Sequence, residues 1–147
     1  RLAYSCVGDS VNLASRLEGQ TKIYGVGNLV GSRTAAALPG FAAIEVDHLA
    51  VKGRSRPETV FTIAGDEYVA ADPCYQRTAA AIAAARAAYL AQDWDTAEAG
   101  FREVAALPGV GVFDPRTFAE VFLSRIAQYR ADPPPPDWDG VYVALSK

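Results

Sequence analysis

The first third of the chain switches its polar–apolar period several times. Arg1 to Val7 reads as a short apolar strand, and Gly8-Asp9-Ser10 turns it into a helix on which Leu13 and Leu17 lie one turn apart. Asp9 or Ser10 is the natural N-cap, because a side-chain oxygen there accepts from the first unbonded N–H groups. The helix is expected to run to about Tyr24 and to stop at Gly25. Asn28 to Val30 follows as a short strand, and Ser32 is expected to cap a small Ala-rich helix ending at Pro39-Gly40. Phe41 to Val51 has strand character, with Ile44 and Val46 on one face and Glu45 and Asp47 on the other. Lys52 to Pro57 makes a basic turn, and Thr59 to Ala64 the return strand. Strands interleaved with helices and closed by a hairpin predict an α+β fold.

The texture then changes. Residues 66–75, polar and rich in small side chains, are expected to be a linker between a first unit, 1–65, and an all-α segment, 76–131. Gln76 to Gln92 is Ala-rich without internal Gly or Pro, so its helix propensity is high. Asp93-Trp94-Asp95 breaks it, and Thr96 to Leu107 forms a second helix. A third spans about Pro115 to Arg130, with Pro at its first position and Phe118, Phe122 (or Val121) and Ile126 as an apolar stripe expected to pack between helices, the alternative being a partner-binding groove. Residues 132–147 begin with a stiff Pro-rich spacer and continue into a short aromatic end, Trp138 to Val143.

Composition narrows the function. Of 147 residues, 50% are hydrophobic, which describes a folded soluble chain. A net charge of -3 gives no general attraction to nucleic acid, so any phosphate binding must be local. Cys6 and Cys74 have no metal-type spacing; Cys6 is expected to be buried and reduced, as in a cytoplasmic protein. No apolar run approaches the roughly 20 residues of a membrane span. The chain starts at Arg1 directly in a strand, and is read as a fragment of a longer protein.

Chemistry concentrates near the start. Asn12 and Arg16 are four residues apart, so an amide and a guanidinium project side by side from the first turns of one helix. With the positive helix N-terminus nearby, the pair suits an anionic, oxygen-rich ligand, although such a pair is also the ordinary solvated flank of an amphipathic helix. The whole string narrows the choice. Y-S-C-V-G-D-S-V-N-L-A-S-R-L-E, Tyr4 to Glu18, resembles the strand-to-helix segment of the class III adenylate and guanylate cyclase catalytic domain. Y-G-V-x-x-L-V at Tyr24 to Val30, T-A-A-A-L-P-G at Thr34 to Gly40 and V-K-G-R-S at Val51 to Ser55 extend the resemblance over roughly the first 65 residues.

The resemblance implies the second part of a ferredoxin-like cyclase domain and conversion of ATP to 3′,5′-cyclic AMP and pyrophosphate. On matching positions, Arg16 would stabilise the transition-state phosphate, Asn12 would orient the ribose, and Lys52, or else the neighbouring Arg54, would reach the β- and γ-phosphates. Base choice would fall to Ser5, whose hydroxyl can donate or accept; a serine there resembles a bacterial branch of adenylate cyclases, which favours ATP. The Mg2+ or Mn2+ ions of the family are held by two aspartates of the part expected to precede Arg1, and its active sites are built across a head-to-tail homodimer. This chain would then carry the transition-state half and be inactive alone. Tyr89, Ala97 and Phe101 stand at places resembling a tetratricopeptide (TPR) unit, which implies a protein partner for the tail. Similar bacterial proteins imply a parent anchored in the membrane with this domain in the cytoplasm. His48, the single histidine, reads as a surface residue. The rival reading is a TPR-type interaction module on a non-catalytic cyclase remnant. A P-loop is excluded, since no G-x-x-x-x-G-K-[ST] run exists.

Overall fold

A computed structural model describes residues 9–50 and 56–144, with side chains from Arg16 onward. Ser5, Cys6 and Lys52 lie outside the described residues, as do the expected opening strand and the side chains of Asn12 and Leu13. The elements are α1 (Asp9–Tyr24), β1 (Val30–Gly31), α2 (Ser32–Ala36), β2 (Ala42–Ala50), β3 (Glu58–Gly65), α3 (Glu67–Ala70), α4 (Pro73–Leu90), α5 (Trp94–Ala105), α6 (Pro115–Ala131) and β4 (Tyr142–Val143). The architecture is α+β: the described residues form a four-stranded mixed sheet in the order β1-β3-β2-β4, with helices packed on it. β3 runs antiparallel to β1 and β2, and β4 joins β2 in parallel through Leu49 and Ala50.

Local chemistry sets most of the boundaries. Gly25 ends α1 at a φ of +65°, and the Val26 N–H reaches back to the Thr21 carbonyl, the closure that a left-handed glycine allows. Four aspartates cap the later helices: Asp66, Asp72, Asp93 and Asp114 each accept from a backbone N–H of the first turn. The expected Asp93-Trp94-Asp95 break is therefore narrower, because Trp94 and Asp95 already belong to α5. Residues 66–75 hold α3 and the start of α4. Ser32 does not cap α2. That N-cap is Gly31, and the Ser32 N–H and hydroxyl both donate to Glu58, which serves the helix start from across the sheet. β1 is shorter than expected because the Asn28 side chain replaces a strand residue: its amide donates to the Ile63 carbonyl at 2.9 Å, and its Oδ1 accepts from the Ile63 N–H at 2.7 Å.

The larger departure is in β2. Glu45 pairs with Phe61 and Asp47 with Val60, so Val46 is an extra residue, a β-bulge. Beyond it the alternation inverts. Asp47 turns to the face of Ile44 and Leu49 and is fully buried, while Glu45 stays exposed. His48 is half-buried rather than free at the surface, with its Nδ1 3.0 Å from the Thr59 hydroxyl on the paired strand.

The apolar interior is continuous from Leu17 and Tyr24 through Ile44, Val46 and Val60 to Ile82, Phe101, Phe118 and Phe122. Tyr89 is the hub of the helical part, with Trp94, Phe101, Phe122, Tyr129 and Trp138 around it at centroid distances of 5.3–6.4 Å. Most of these rings meet edge to face, the arrangement that their quadrupoles favour. The aromatic stripe of α6 is thus filled by the chain's own residues. α4 and α5 approach so closely that a Cβ on Gly100 would sit 2.9 Å from that of Ala85. The Pro-rich segment returns across these helices, where the Gln92 side chain donates to the Pro135 carbonyl at 2.8 Å and Trp138 enters the aromatic cluster.

Burial of tyrosines fixes an expected pH response. Desolvation, and for Tyr24 also the neighbouring Asp47 charge, pushes the hydroxyls of Tyr24 and Tyr89 far above the usual tyrosine range. The unfolded chain ionises these groups near pH 10 while the folded one keeps them protonated, so their contribution is intact below that pH and declines above it. The slope is about 1.4 kcal/mol per pH unit for each of the two. Urea midpoints measured from about pH 8 to 11 should hold level and then fall above about pH 10. A midpoint that stays level to pH 11 would contradict the burial of these hydroxyls.

Candidate functional site

Helix α1 presents two faces. Leu17, Gln20 and Tyr24, spaced i, i+3, i+7, are buried, and Arg16, Glu18, Gly19 and Ile23 are exposed. Asn12 lies four residues before Arg16 on the same helix, about 6 Å along its axis, so the two share a face. Arg16 makes no ion pair among the described residues and points to solvent, where a guanidinium can meet a phosphate. Lys52 falls in the connection between β2 and β3, and Ser5 just ahead of α1; neither is among the described residues.

The end of α1 is held by a buried polar cluster. The Tyr24 hydroxyl donates to Asp47 Oδ2, and Arg125 of α6 donates from Nη1 to the same oxygen at 2.7 Å and from Nη2 to the Tyr24 hydroxyl at 2.9 Å. Asp47 Oδ1 accepts the His48 N–H at 2.8 Å and lies 3.5 Å from Arg86 of α4, whose Nη1 also donates to the Val46 carbonyl. The Arg125 guanidinium sits 3.5 Å from the Tyr142 ring centroid and 4.9 Å from that of Phe122. Burial works against the charge on Arg125, but Asp47, with Tyr24 and Tyr89, outweighs it, and the group stays charged at every ordinary pH. Thr117 of α6 packs so tightly against Gly25 that a Cβ there would overlap its methyl group. Residues from α1, β2, α4 and α6 therefore meet at one point, and a carboxylate with such partners is stable in the interior only because it is paired.

Sequence reasoning missed this cluster. Its signal is nevertheless present: Arg125 stands between Phe122 and Ile126 on an apolar stripe, and Arg86 between Ile82 and Tyr89. A charged residue at a core-facing position requires a buried partner.

Among the described residues no cluster of His, Cys, Asp or Glu is arranged to hold a metal ion. The carboxylate of Asp47 is committed to its arginines, the Tyr24 hydroxyl and a backbone N–H, and does not fit a metal site. A groove of about 260 Å³ lies between β2 and α4, lined by Ala43, Glu45, Ile82, Arg86 and Leu90 among others, and includes no residue of α1. Its guanidinium is already bonded within the cluster. Also among the described residues, no helix is long and apolar enough to cross a membrane. Comparison of the chain with protein-family models, with curated proteins and with solved structures found no match.

Proposed function

We propose that this chain is the C-terminal part of a class III nucleotidyl cyclase catalytic domain, with a TPR-like helical tail, and that it supplies the transition-state half of a composite, head-to-tail dimeric adenylate cyclase site. The observation that carries this reading is the run Tyr4 to Glu18. Its second half falls on α1, with Arg16 exposed and Asn12 one turn before it. In this reading the ribose 3′-oxygen of ATP attacks the α-phosphorus while pyrophosphate leaves, and negative charge builds on the phosphate oxygens. Arg16 donates to those oxygens from a fixed helix, Asn12 orients the ribose, Lys52 holds the β- and γ-phosphates, and the Ser5 hydroxyl meets the base. The Mg2+ or Mn2+ ions belong to residues outside this chain. The filled interior of α4–α6 favours this reading over an interaction groove between those helices.

The test is product formation by the longer protein, with magnesium or manganese, on ATP and GTP in parallel. Cyclic AMP from ATP alone is expected. Cyclic GMP instead would keep the cyclase and reverse the base choice assigned to Ser5. No product from either nucleotide with an intact fold would defeat the reading and favour the interaction module. A clean preparation of residues 1–147 is expected to form no cyclic nucleotide, and turnover by it would overturn the composite site.

A further inference from the structure

The buried cluster lies outside the candidate site, yet it is built on the same helix. Tyr24 is eight residues beyond Arg16, so about 12 Å of one continuous α-helix separates the bridging hydroxyl from the guanidinium proposed to act on phosphate. Two contacts from α6 close on that helix end: Arg125 donates to the Tyr24 hydroxyl at 2.9 Å, and Thr117 packs against Gly25. A third element, β2, contributes Asp47, which both Tyr24 and Arg125 bond through Oδ2. A helix gripped at one end by charged, buried and directional bonds keeps its axis fixed, and side chains along it keep their aim.

We propose that the helical tail is a positioning element for catalysis, in which Arg125 of α6, acting through the Tyr24 hydroxyl and Asp47, sets the axis of α1 and hence the place of Arg16. The inference rests on the cyclase reading above. It assigns Arg125 and Tyr24 as positioning residues, since neither is expected to touch nucleotide. It also gives the tail a role in turnover that needs no separate partner: any displacement of α6 is passed to α1.

The variant that separates positioning from folding is Tyr24→Phe, which removes only the bridging hydroxyl and leaves the Asp47–Arg125 pair in place. In the active longer protein, turnover is expected to fall about tenfold with the ATP KM within about twofold, because a misplaced transition-state donor costs rate more than ground-state binding. In an Arg16→Ala background the same change is expected to cost nothing further, since the residue through which it acts is gone. Amide exchange in residues 16–24 of the present chain should quicken in Tyr24→Phe while α5 stays protected. Unchanged kcat in a folded Tyr24→Phe enzyme overturns the inference, and so does an equal loss in both backgrounds, which would mark a general structural effect. A wild-type protein with no cyclase turnover is a different failure. It would defeat the cyclase reading and, with it, any catalytic consequence of the clamp.

Discussion

Arg125→Ala is expected to destabilise the fold by about 3–5 kcal/mol, the cost of leaving a buried charge without its main partner. Arg125 and Asp47 are both almost fully inaccessible, and the 2.7 Å bond between them is the shortest ion pair of the cluster. After the change, Asp47 keeps the Tyr24 hydroxyl, the His48 N–H and a 3.5 Å contact with Arg86, so the loss should lie toward the lower end of that range. The stack against Phe122 and Tyr142 disappears with the guanidinium, which removes packing as well as charge. Since whole domains are stable by only about 5–15 kcal/mol, a single substitution would remove a large share of the total. With a urea dependence near 2 kcal/mol per molar, the midpoint should drop by roughly 1.5–2.5 M. Arg130→Ala is the matched control. Arg130 pairs with Asp95 and Glu98 at 2.8 and 2.9 Å, but at the exposed surface, where solvent screens such pairs and they contribute little to stability. Equal midpoints for the two variants would mean that the buried cluster does not hold the fold.

Gly25 as the stop of α1, the unbroken Ala-rich run of α4 and Pro115 at the start of α6 place the helices to within a few residues, because such signals act over one turn, whereas the caps Asp72 and Asp93 lie in stretches that read as a linker and a break. The buried stripe Phe118, Phe122, Ile126 was legible for the same reason. Asp47 was not. A strict period of two places it beside Glu45, and one inserted residue, Val46, reverses it; nothing in the local pattern of the strand announces a bulge. Nor was the pairing of Asp47 with a residue 78 positions away, or the two-residue strand β4, whose existence depends on tertiary contact. Of the candidate site, the sequence names four residues, and the described structure includes the side chain of Arg16 and the backbone of Asn12. Motif resemblance carries the chemistry proposed for those positions, while the support of α1 from behind is a property of the fold alone.

On the proposed cyclase reading, Arg16→Ala is expected to reduce kcat of the longer protein by about 10²–10³, equivalent to about 2.7–4 kcal/mol, the usual cost of removing one fixed donor from a developing oxyanion. The size of the loss depends on where charge appears. ATP is already anionic before reaction, and Lys52 is assigned to its outer phosphates, so ground-state binding survives the loss of Arg16 and KM should change little. The transition state spreads further charge over the oxygens around the α-phosphorus, where a planar guanidinium can give two parallel bonds. Arg16→Lys should therefore recover only part of the rate, because an ammonium is a point charge without the fork. Folding is not at risk: Arg16 is exposed and carries no ion pair among the described residues, and surface substitutions of this kind stay within about 0.5 kcal/mol. Arg116→Ala, also exposed but on α6, supplies the control and should leave turnover unchanged. A folded Arg16→Ala protein that keeps turnover within about threefold of the unaltered enzyme, where a lost donor should cost at least a hundredfold, would remove Arg16 from the mechanism. The positioning role of Tyr24 and Arg125 would fall with it, because a clamp on α1 matters to catalysis only through the residue that the helix carries.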